Sequence, residues 1–235
     1  MNHRAVLLAA WLVVVTACGV RHSAASGPPV DSPVIPPNRI MDFALLYGRN
    51  CAGCHGPDGK ADLAIGLGNP VYLAIADDAT IHRITADGVT GTAMPAFAQN
   101  SGGMLSDDQI DVIVRGIRTR WARPDAVRDV VLPPYAAQGP GDPKHGEAVY
   151  SVYCSSCHGA DGRGGAPASS IVNGSYLALV SDQYLRTTVI AGRPELGAPD
   201  WRTDVPGKPM SPEEVSDVVA WLSAQRPQLL EGQAR

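Results

Sequence analysis

Residues 51–55 are Cys-Ala-Gly-Cys-His, and residues 154–158 repeat the pattern as Cys-Ser-Ser-Cys-His. The spacing Cys-x-x-Cys-His is the attachment signature of c-type haem. Two thiols on one turn can add to the two vinyl groups of the porphyrin, and the histidine that follows them then faces the iron. The sequence therefore predicts two c-type haems. The predicted attachment residues are Cys51, Cys54, Cys154 and Cys157, and the predicted proximal ligands are His55 and His158.

A pair of cysteines separated by two residues also occurs in zinc sites, in thioredoxin-like dithiols and in disulfides. A zinc site gives no reason for a histidine directly after both pairs, and a dithiol needs only one pair. The following residues repeat as well, because His-Gly-Pro-Asp-Gly at 55–59 corresponds to His-Gly-Ala-Asp-Gly at 158–162. This duplication favours haem over the three alternatives.

The N-terminus predicts export from the cytoplasm. A short cationic start precedes the apolar run 5–17, which is shorter than the roughly 20 residues that a membrane-spanning helix needs. The stretch 15–19, Val-Thr-Ala-Cys-Gly, resembles a bacterial lipoprotein signal, in which cleavage leaves Cys18 as a lipidated N-terminus. The alternative is an ordinary signal peptide, with Cys18 a stray thiol. We expect the chain to be lipid-anchored to a membrane on the periplasmic side of the bacterial cell envelope.

The composition gives no indication of nucleic-acid binding and is compatible with haem domains. The formal net charge is -4, so no excess of basic residues indicates nucleic-acid binding. The 25 glycines and 20 prolines predict many loops. A haem domain tolerates this content, because the porphyrin supplies much of the apolar core.

The chain is an internal duplication, with an offset that grows only from 103 to 105 residues. The matched pairs are Tyr47 and Tyr150, Asn69 and Asn173, Gly88 and Gly192, and Ser106 and Ser211. The predicted divisions are a lipoprotein-type signal peptide (1–18), a Pro- and Ser-rich tether (19–38), a first haem domain (39–122), a Pro-rich linker (123–143), a second haem domain (144–228) and a tail (229–235). We expect the linker to lie along the surfaces of the two domains.

Each haem domain is predicted to be all-α, with three main helices and long loops. The first helices are predicted at 40–49 and 144–153, and the middle helices at 78–86 and 182–190. The last helix of each domain begins with a capping box, Ser106-x-x-Gln109 or Ser211-x-x-Glu214. Trp221 is predicted to pack where the last helix crosses the first.

Residues 40–228 resemble two class I cytochrome c domains in tandem, as in dihaem cytochromes c. The resemblance implies an all-α fold with haem in a cleft and iron held between a histidine and a methionine. The methionine of such domains approaches from a loop before the last helix. The residue that matches it in the first domain is Met94, within Gly-Thr-Ala-Met-Pro-Ala-Phe at 91–97. A packing role is the alternative for Met94.

The second domain departs from this pattern. Alignment of Gly88 with Gly192 places Ala198 opposite Met94, and alanine cannot coordinate iron. The remaining methionine of this half, Met210, aligns with Leu105, so it reaches the iron only if the loop before it refolds. The other candidates for the sixth position are Lys208, His82, His145 and water.

The axial ligands decide between two functions. A six-coordinate iron with a thioether ligand mainly passes electrons, whereas an open haem binds peroxide, nitric oxide or carbon monoxide. We expect a membrane-anchored dihaem cytochrome c that transfers electrons between redox proteins, such as a respiratory complex, an oxidase or a dehydrogenase, either as a carrier or as a fixed subunit of such a complex. The alternative is a dihaem enzyme, or a gas- or peroxide-reactive protein, with an open second haem. The carrier is favoured because the ligand loop of the second domain offers no evident acid–base set.

Overall fold

The computed structural model describes residues 35–60, 64–203 and 205–227. The regular elements in these ranges are helices, and strand-like pairing there is limited to three isolated bridges. Both haem motifs fall within one compact unit, Pro36–Arg235. The predicted signal peptide with Cys18, most of the tether and the tail lie outside the described residues.

The same order of five α-helices occurs in each half of the described chain. The helices are α1 (Phe43–Asn50), α2 (Ala52–His55), α3 (Pro70–Ile75), α4 (Asp78–Asp87), α5 (Asp107–Trp121), α6 (Pro143–Tyr153), α7 (Ser155–His158), α8 (Gly174–Leu179), α9 (Asp182–Ala191) and α10 (Pro212–Ala224). A search of the described residues for a helix with the length and apolar character of a bilayer span finds none.

The six main helices lie where the sequence predicts them. Helix α1 begins at Phe43 rather than at residue 40, because the Asp42 side chain caps it by accepting the N–H of Leu45 at 2.8 Å. Helices α3 and α8 are additional to the predicted set. Each follows an asparagine, Asn69 or Asn173, whose side-chain oxygen accepts two backbone N–H groups of the first turn.

The two predicted capping boxes are present. The Ser106 hydroxyl accepts the N–H of Gln109 at 3.4 Å, and the Gln109 side chain accepts the N–H of Ser106 at 3.1 Å. Ser211 and Glu214 exchange the same pair of hydrogen bonds, at 2.8 and 3.1 Å. A cap of this kind stabilises a helix by about 1 kcal/mol. The boxes therefore determine where α5 and α10 begin.

The first and last helices of each half cross closely at a glycine. In the first half, Phe43 of α1 lies against Gly116 of α5, where a Cβ atom would overlap the ring. In the second half the glycine is on the first helix, because an added Cβ on Gly146 of α6 would lie 2.0 Å from the Asp217 carbonyl oxygen and 2.9 Å from the Trp221 Cβ, both on α10. Trp221 also stacks on Tyr150 with ring centroids 4.3 Å apart. The predicted packing role of Trp221 is confirmed.

The linker between the halves does not only lie along the surface, as the sequence predicts, but packs against the core. Its partly buried apolar side chains are Val127, Val130, Leu132 and Tyr135. The guanidinium of Arg186, which is 2% exposed, donates to the carbonyls of Pro134 at 2.9 Å and Tyr135 at 3.1 Å. Asn69 of the first half donates directly to the carbonyl of Ala191 in the second half at 2.9 Å.

Candidate haem sites

The first haem motif continues the helix that precedes it. Cys51 ends α1 by donating its N–H to the carbonyl of Tyr47 at 2.9 Å, and its own carbonyl accepts the N–H of His55 at 2.9 Å. The two thiols, of Cys51 and Cys54, and the imidazole of His55 are thereby brought onto one helical turn. This is the arrangement that attachment of a porphyrin through two vinyl groups requires.

The second motif has the same backbone geometry. Cys154 donates to the carbonyl of Tyr150 at 2.9 Å, and its carbonyl accepts the N–H of His158 at 3.0 Å. The structure therefore brings Cys154, Cys157 and His158 together as it does the residues of the first motif. The duplicated sequence pattern is also a duplicated structural element.

Backbone carbonyls orient both motif histidines. Nδ1 of His55 lies 2.9 Å from the carbonyl oxygen of Ile65, and Nδ1 of His158 lies 2.8 Å from that of Ser169. A carbonyl only accepts, so Nδ1 carries the proton and Nε2 keeps the lone pair that a metal ligand needs. Burial lowers the pKa of His55, against an opposing effect of the Ile65 hydrogen bond, and favours the neutral imidazole. The sequence could not identify these two carbonyls, because any residue type supplies one.

A tyrosine supports the loop after each motif. The Tyr47 hydroxyl donates to the carbonyl of Gly56 at 2.8 Å, and the Tyr150 hydroxyl donates to that of Gly159. Burial is the main cause that raises the pKa of both tyrosines above the ordinary value. Both hydroxyls therefore remain protonated donors at neutral pH.

The loop that carries Met94 has the same register in both halves. Val89 donates its N–H to the carbonyl of Met94 at 3.0 Å, and Arg193 donates to that of Ala198 at 3.0 Å. Gly88 and Gly192 precede these donors with φ of 69° and 66°. A Cβ atom on Gly88 would lie 2.7 Å from the Met94 carbonyl oxygen. The structure thus places Ala198 where the first half has Met94, which is half-buried.

Met210 lies in the apolar core, at the position of Leu105. Its N–H donates to the carbonyl of Trp201 at 3.0 Å, and Leu105 makes the same bond to Phe97 at 2.8 Å. The side chain of Met210 is 3% exposed and that of Leu105 is 6% exposed. This placement favours packing over iron ligation for Met210.

Each of the other candidate ligands has a contact of its own. The Lys208 ammonium lies 5.2 Å from the ring centroid of Tyr153, the residue before Cys154. Nδ1 of His145 is 2.7 Å from a carboxylate oxygen of Asp217. His82, in the first half, pairs with Asp111 at 3.5 Å.

The chemistry of the two motifs fits haem attachment and opposes the alternatives. The thiols of Cys51, Cys54 and Cys157 are free. Burial, with a smaller contribution from Cys54, raises the pKa of Cys51 to about 12, whereas reactive dithiols have a lowered pKa. Within the described ranges, no group of three or more His, Cys, Asp or Glu side chains is placed to hold a separate metal ion. A thiol pair followed by an oriented histidine is a site for covalently bound haem.

Comparison with known proteins supports this assignment. A family model described as cytochrome c oxidase, cbb3-type, subunit III matches residues 38–115 and 141–222, one segment in each half. The cytochrome bc1 complex cytochrome c subunit of Mycobacterium tuberculosis is 23% identical over 182 residues, which are 75% of this chain and 60% of that protein. The protein of the same name from Mycobacterium bovis has the same values. The chain thus spans 60% of the length of these curated relatives.

Two solved structures illustrate more distant similarity. The reducing HAO-like protein complex of Kuenenia stuttgartiensis has 17% identity and a TM-score of 0.45, covering 83% of this chain and 100% of that chain. Cytochrome c4 of Acidithiobacillus ferrooxidans has 17% identity and a TM-score of 0.26, covering 75% of this chain and 99% of that chain.

Each segment matched by the family model contains one haem motif. The match and the curated relatives imply covalently bound c-type haem, and two haems fit the two tandem segments. The chain is a c-type cytochrome and belongs to the family of cytochrome c oxidase, cbb3-type, subunit III.

Proposed function

We propose that this protein is a membrane-anchored dihaem cytochrome c that transfers electrons between respiratory-chain or dehydrogenase partners outside the cytoplasm. An electron-transfer role follows from its membership of a cytochrome c family. The observation that carries the proposal is the pair of matching attachment turns, 51–55 and 154–158, within one compact unit.

Specific residues of this chain would hold the two haems. The thiols of Cys51 and Cys54 would hold the first haem and those of Cys154 and Cys157 the second, with Nε2 of His55 and of His158 as iron ligands. Met94 would supply a thioether ligand to the first iron. When bound, each haem supplies one electron per redox cycle.

The surrounding side chains keep the proximal ligands in position. The carbonyls of Ile65 and Ser169 hold the Nδ1 protons and so orient Nε2 of each histidine. Such outer hydrogen bonds raise the basicity of a ligand and tune the metal. The hydroxyl of Tyr47 holds the loop after the first motif and that of Tyr150 the loop after the second. These hydrogen bonds fix the motif histidines and the loops after them, which suits electron transfer.

The proposed partner is a respiratory complex. The support is the 23% identity to a cytochrome bc1 complex cytochrome c subunit of Mycobacterium, which this chain matches over 60% of that protein's length. The acidic formal charge of -4 would suit a basic docking surface on the partner. Anchoring by a lipid on Cys18 would keep the protein near such a complex, on the periplasmic side of the envelope.

Haem content and redox titration test the haem assignment. Protein matured with the c-type attachment machinery is expected to hold two haems per chain and to titrate in two separate one-electron steps. His55→Ala should abolish normal ligation of the first haem, and Met94→Ala should lower its potential, because a thioether favours the ferrous state. An unchanged titration of the Met94→Ala protein would contradict the assignment of Met94.

Two further measurements test the anchor and the partner. Cys18→Ala should move the protein from the membrane to the soluble fraction and remove the lipid mass seen by mass spectrometry. Membranes with a bc1-type complex and quinol should reduce the added protein faster than membranes in which the complex is inhibited. Equal reduction rates would contradict the proposed partner.

A further inference from the structure

We propose that the second haem site is a binding site for a small diatomic ligand such as carbon monoxide or nitric oxide, and that Ala198 keeps its sixth position open. This inference rests on the proposed function, because it assumes that the second motif carries haem. It goes beyond electron transfer, since a haem with an exchangeable position binds ligands from solution.

The loop of Ala198 keeps the backbone of the Met94 loop but has lost its ligand. Arg193 and Ala198 exchange two backbone hydrogen bonds, each 3.0 Å long. The bond from the Arg193 N–H to the Ala198 carbonyl corresponds to the bond from Val89 to Met94 in the first half. Because the register is the same, the missing thioether is not supplied by a shifted neighbour. The residues on either side of Ala198 are Gly197 and Pro199, and neither has a side chain that coordinates iron.

Met210 cannot substitute for the missing thioether without breaking the core. The loop is closed by the hydrogen bond from Met210 to Trp201, and these two side chains are 3% and 2% exposed. Removing a large apolar side chain from the core is unfavourable. A movement of Met210 to the iron would displace both side chains, so the packed arrangement is the more stable one.

The second half also contains side chains that could offer a nitrogen ligand. In sequence they are Lys144, His145 and Lys208, besides His158 itself. Lys144 and His145 lie at the start of α6, and Cys154 is about ten residues further along, roughly 15 Å at 1.5 Å per residue. His145 pairs with Asp217, and the Lys208 ammonium lies over the Tyr153 ring. None of these contacts is with the loop of Ala198.

The loop carboxylates indicate binding rather than peroxide chemistry. Glu195 pairs with Arg193, and Asp200 pairs with Arg202 at 2.7 Å. A general acid or base needs a carboxylate that reaches the reacting group. Because both carboxylates are held by arginines, we assign the site to ligand binding.

Carbon monoxide titration of the reduced holoprotein, with haem counted on the same sample, tests the inference. We expect one carbon monoxide bound per two haems, and one high-spin and one low-spin signal in the electron paramagnetic resonance spectrum of the ferric protein. Ala198→Met should restore a thioether and abolish binding. Met94→Ala is the matched variant in the first half and should double the amount bound.

The outcomes separate the two proposals. Two haems per chain, two low-spin ferric signals and no binding of carbon monoxide would overturn the open site while leaving the dihaem carrier intact. A haem content of one per chain would overturn the dihaem proposal and this inference with it. Binding that persists unchanged in the Ala198→Met protein would overturn the role of Ala198.

Discussion

At the scale of single residues, a tyrosine four positions before each motif fixes the backbone directly after the motif histidine. The Tyr47 hydroxyl donates to the Gly56 carbonyl at 2.8 Å. We predict that Tyr47→Phe lowers the free energy of unfolding of the holoprotein by about 1 kcal/mol, the usual net value of one hydrogen bond. Denaturant unfolding followed by haem absorbance would measure it. Tyr150→Phe should have a similar effect, and an unchanged midpoint in both variants would contradict the prediction.

A second residue-scale feature is the ion pair of His145 on α6 with Asp217 on α10. The hydrogen bond to Asp217 is the main cause that raises the pKa of His145, with further contributions from Asp217, Asp142 and Glu214 as negative charges. A histidine whose pKa is raised on folding stabilises the folded state at pH values below the unfolded pKa of about 6.5. That contribution is lost as the pH rises through the folded pKa.

We therefore predict that His145→Gln destabilises the protein more at mildly acidic pH than at alkaline pH. The measurement is the difference in unfolding free energy between wild type and variant, followed from mildly acidic to alkaline pH. The difference should shrink as the pH rises. A difference that grows with pH, or that does not depend on pH, would show that the protonated pair is not stabilising.

At the scale of helices, each half depends on a close crossing between its first and last helix. Gly116 allows the Phe43 ring to lie against α5, and an added methyl group would overlap that ring. We predict that Gly116→Ala destabilises the holoprotein by about 1–3 kcal/mol, the usual cost of overpacking a core. Gly48→Ala is the matched control, because Gly48 lies in α1 with no neighbouring atom within 4 Å of an added Cβ. Equal effects of the two substitutions, measured by thermal unfolding, would contradict the crossing model.

The main helices were predictable from sequence because local rules decide them. The capping boxes at Ser106 and Ser211 and the periodic apolar positions after them are visible without a structure. Helices α3 and α8 are six residues long, too short for a periodic pattern, and depend on an asparagine cap and on packing. The carbonyls that orient the histidines carry no sequence signal. The register of Ala198 against Met94 was predictable, because the duplication supplies an internal reference.

At the scale of the whole molecule, the linker joins the two halves through polar as well as apolar contacts. Arg186 of α9 is buried, and a buried charge must be paired or fully hydrogen-bonded. The carbonyls of Pro134 and Tyr135 satisfy it, and Gln183 donates to Tyr135 as well, at 2.8 Å. Buried side chains of both halves also belong to one apolar core, so the halves pack as one unit.

The direct hydrogen bond between the halves can be tested with one pair of substitutions. Asn69 caps α3 with its side-chain oxygen, while its amide group donates to the Ala191 carbonyl at 2.9 Å. Serine caps a helix about as well as asparagine, but its single hydroxyl cannot replace both contacts. We predict that Asn69→Ser lowers the free energy of unfolding by about 0.5–1.5 kcal/mol.

Asn173→Ser is the matched control, because Asn173 caps α8 in the same way from an exposed position of the second half. Its effect should be close to zero, since serine preserves the cap. Limited proteolysis of the linker should also become faster in the Asn69→Ser protein, because Ala191 lies at the end of α9, the helix whose Arg186 holds the linker. If both variants lose the same stability, the bond to Ala191 does not hold the halves together, and the shared apolar core alone does so.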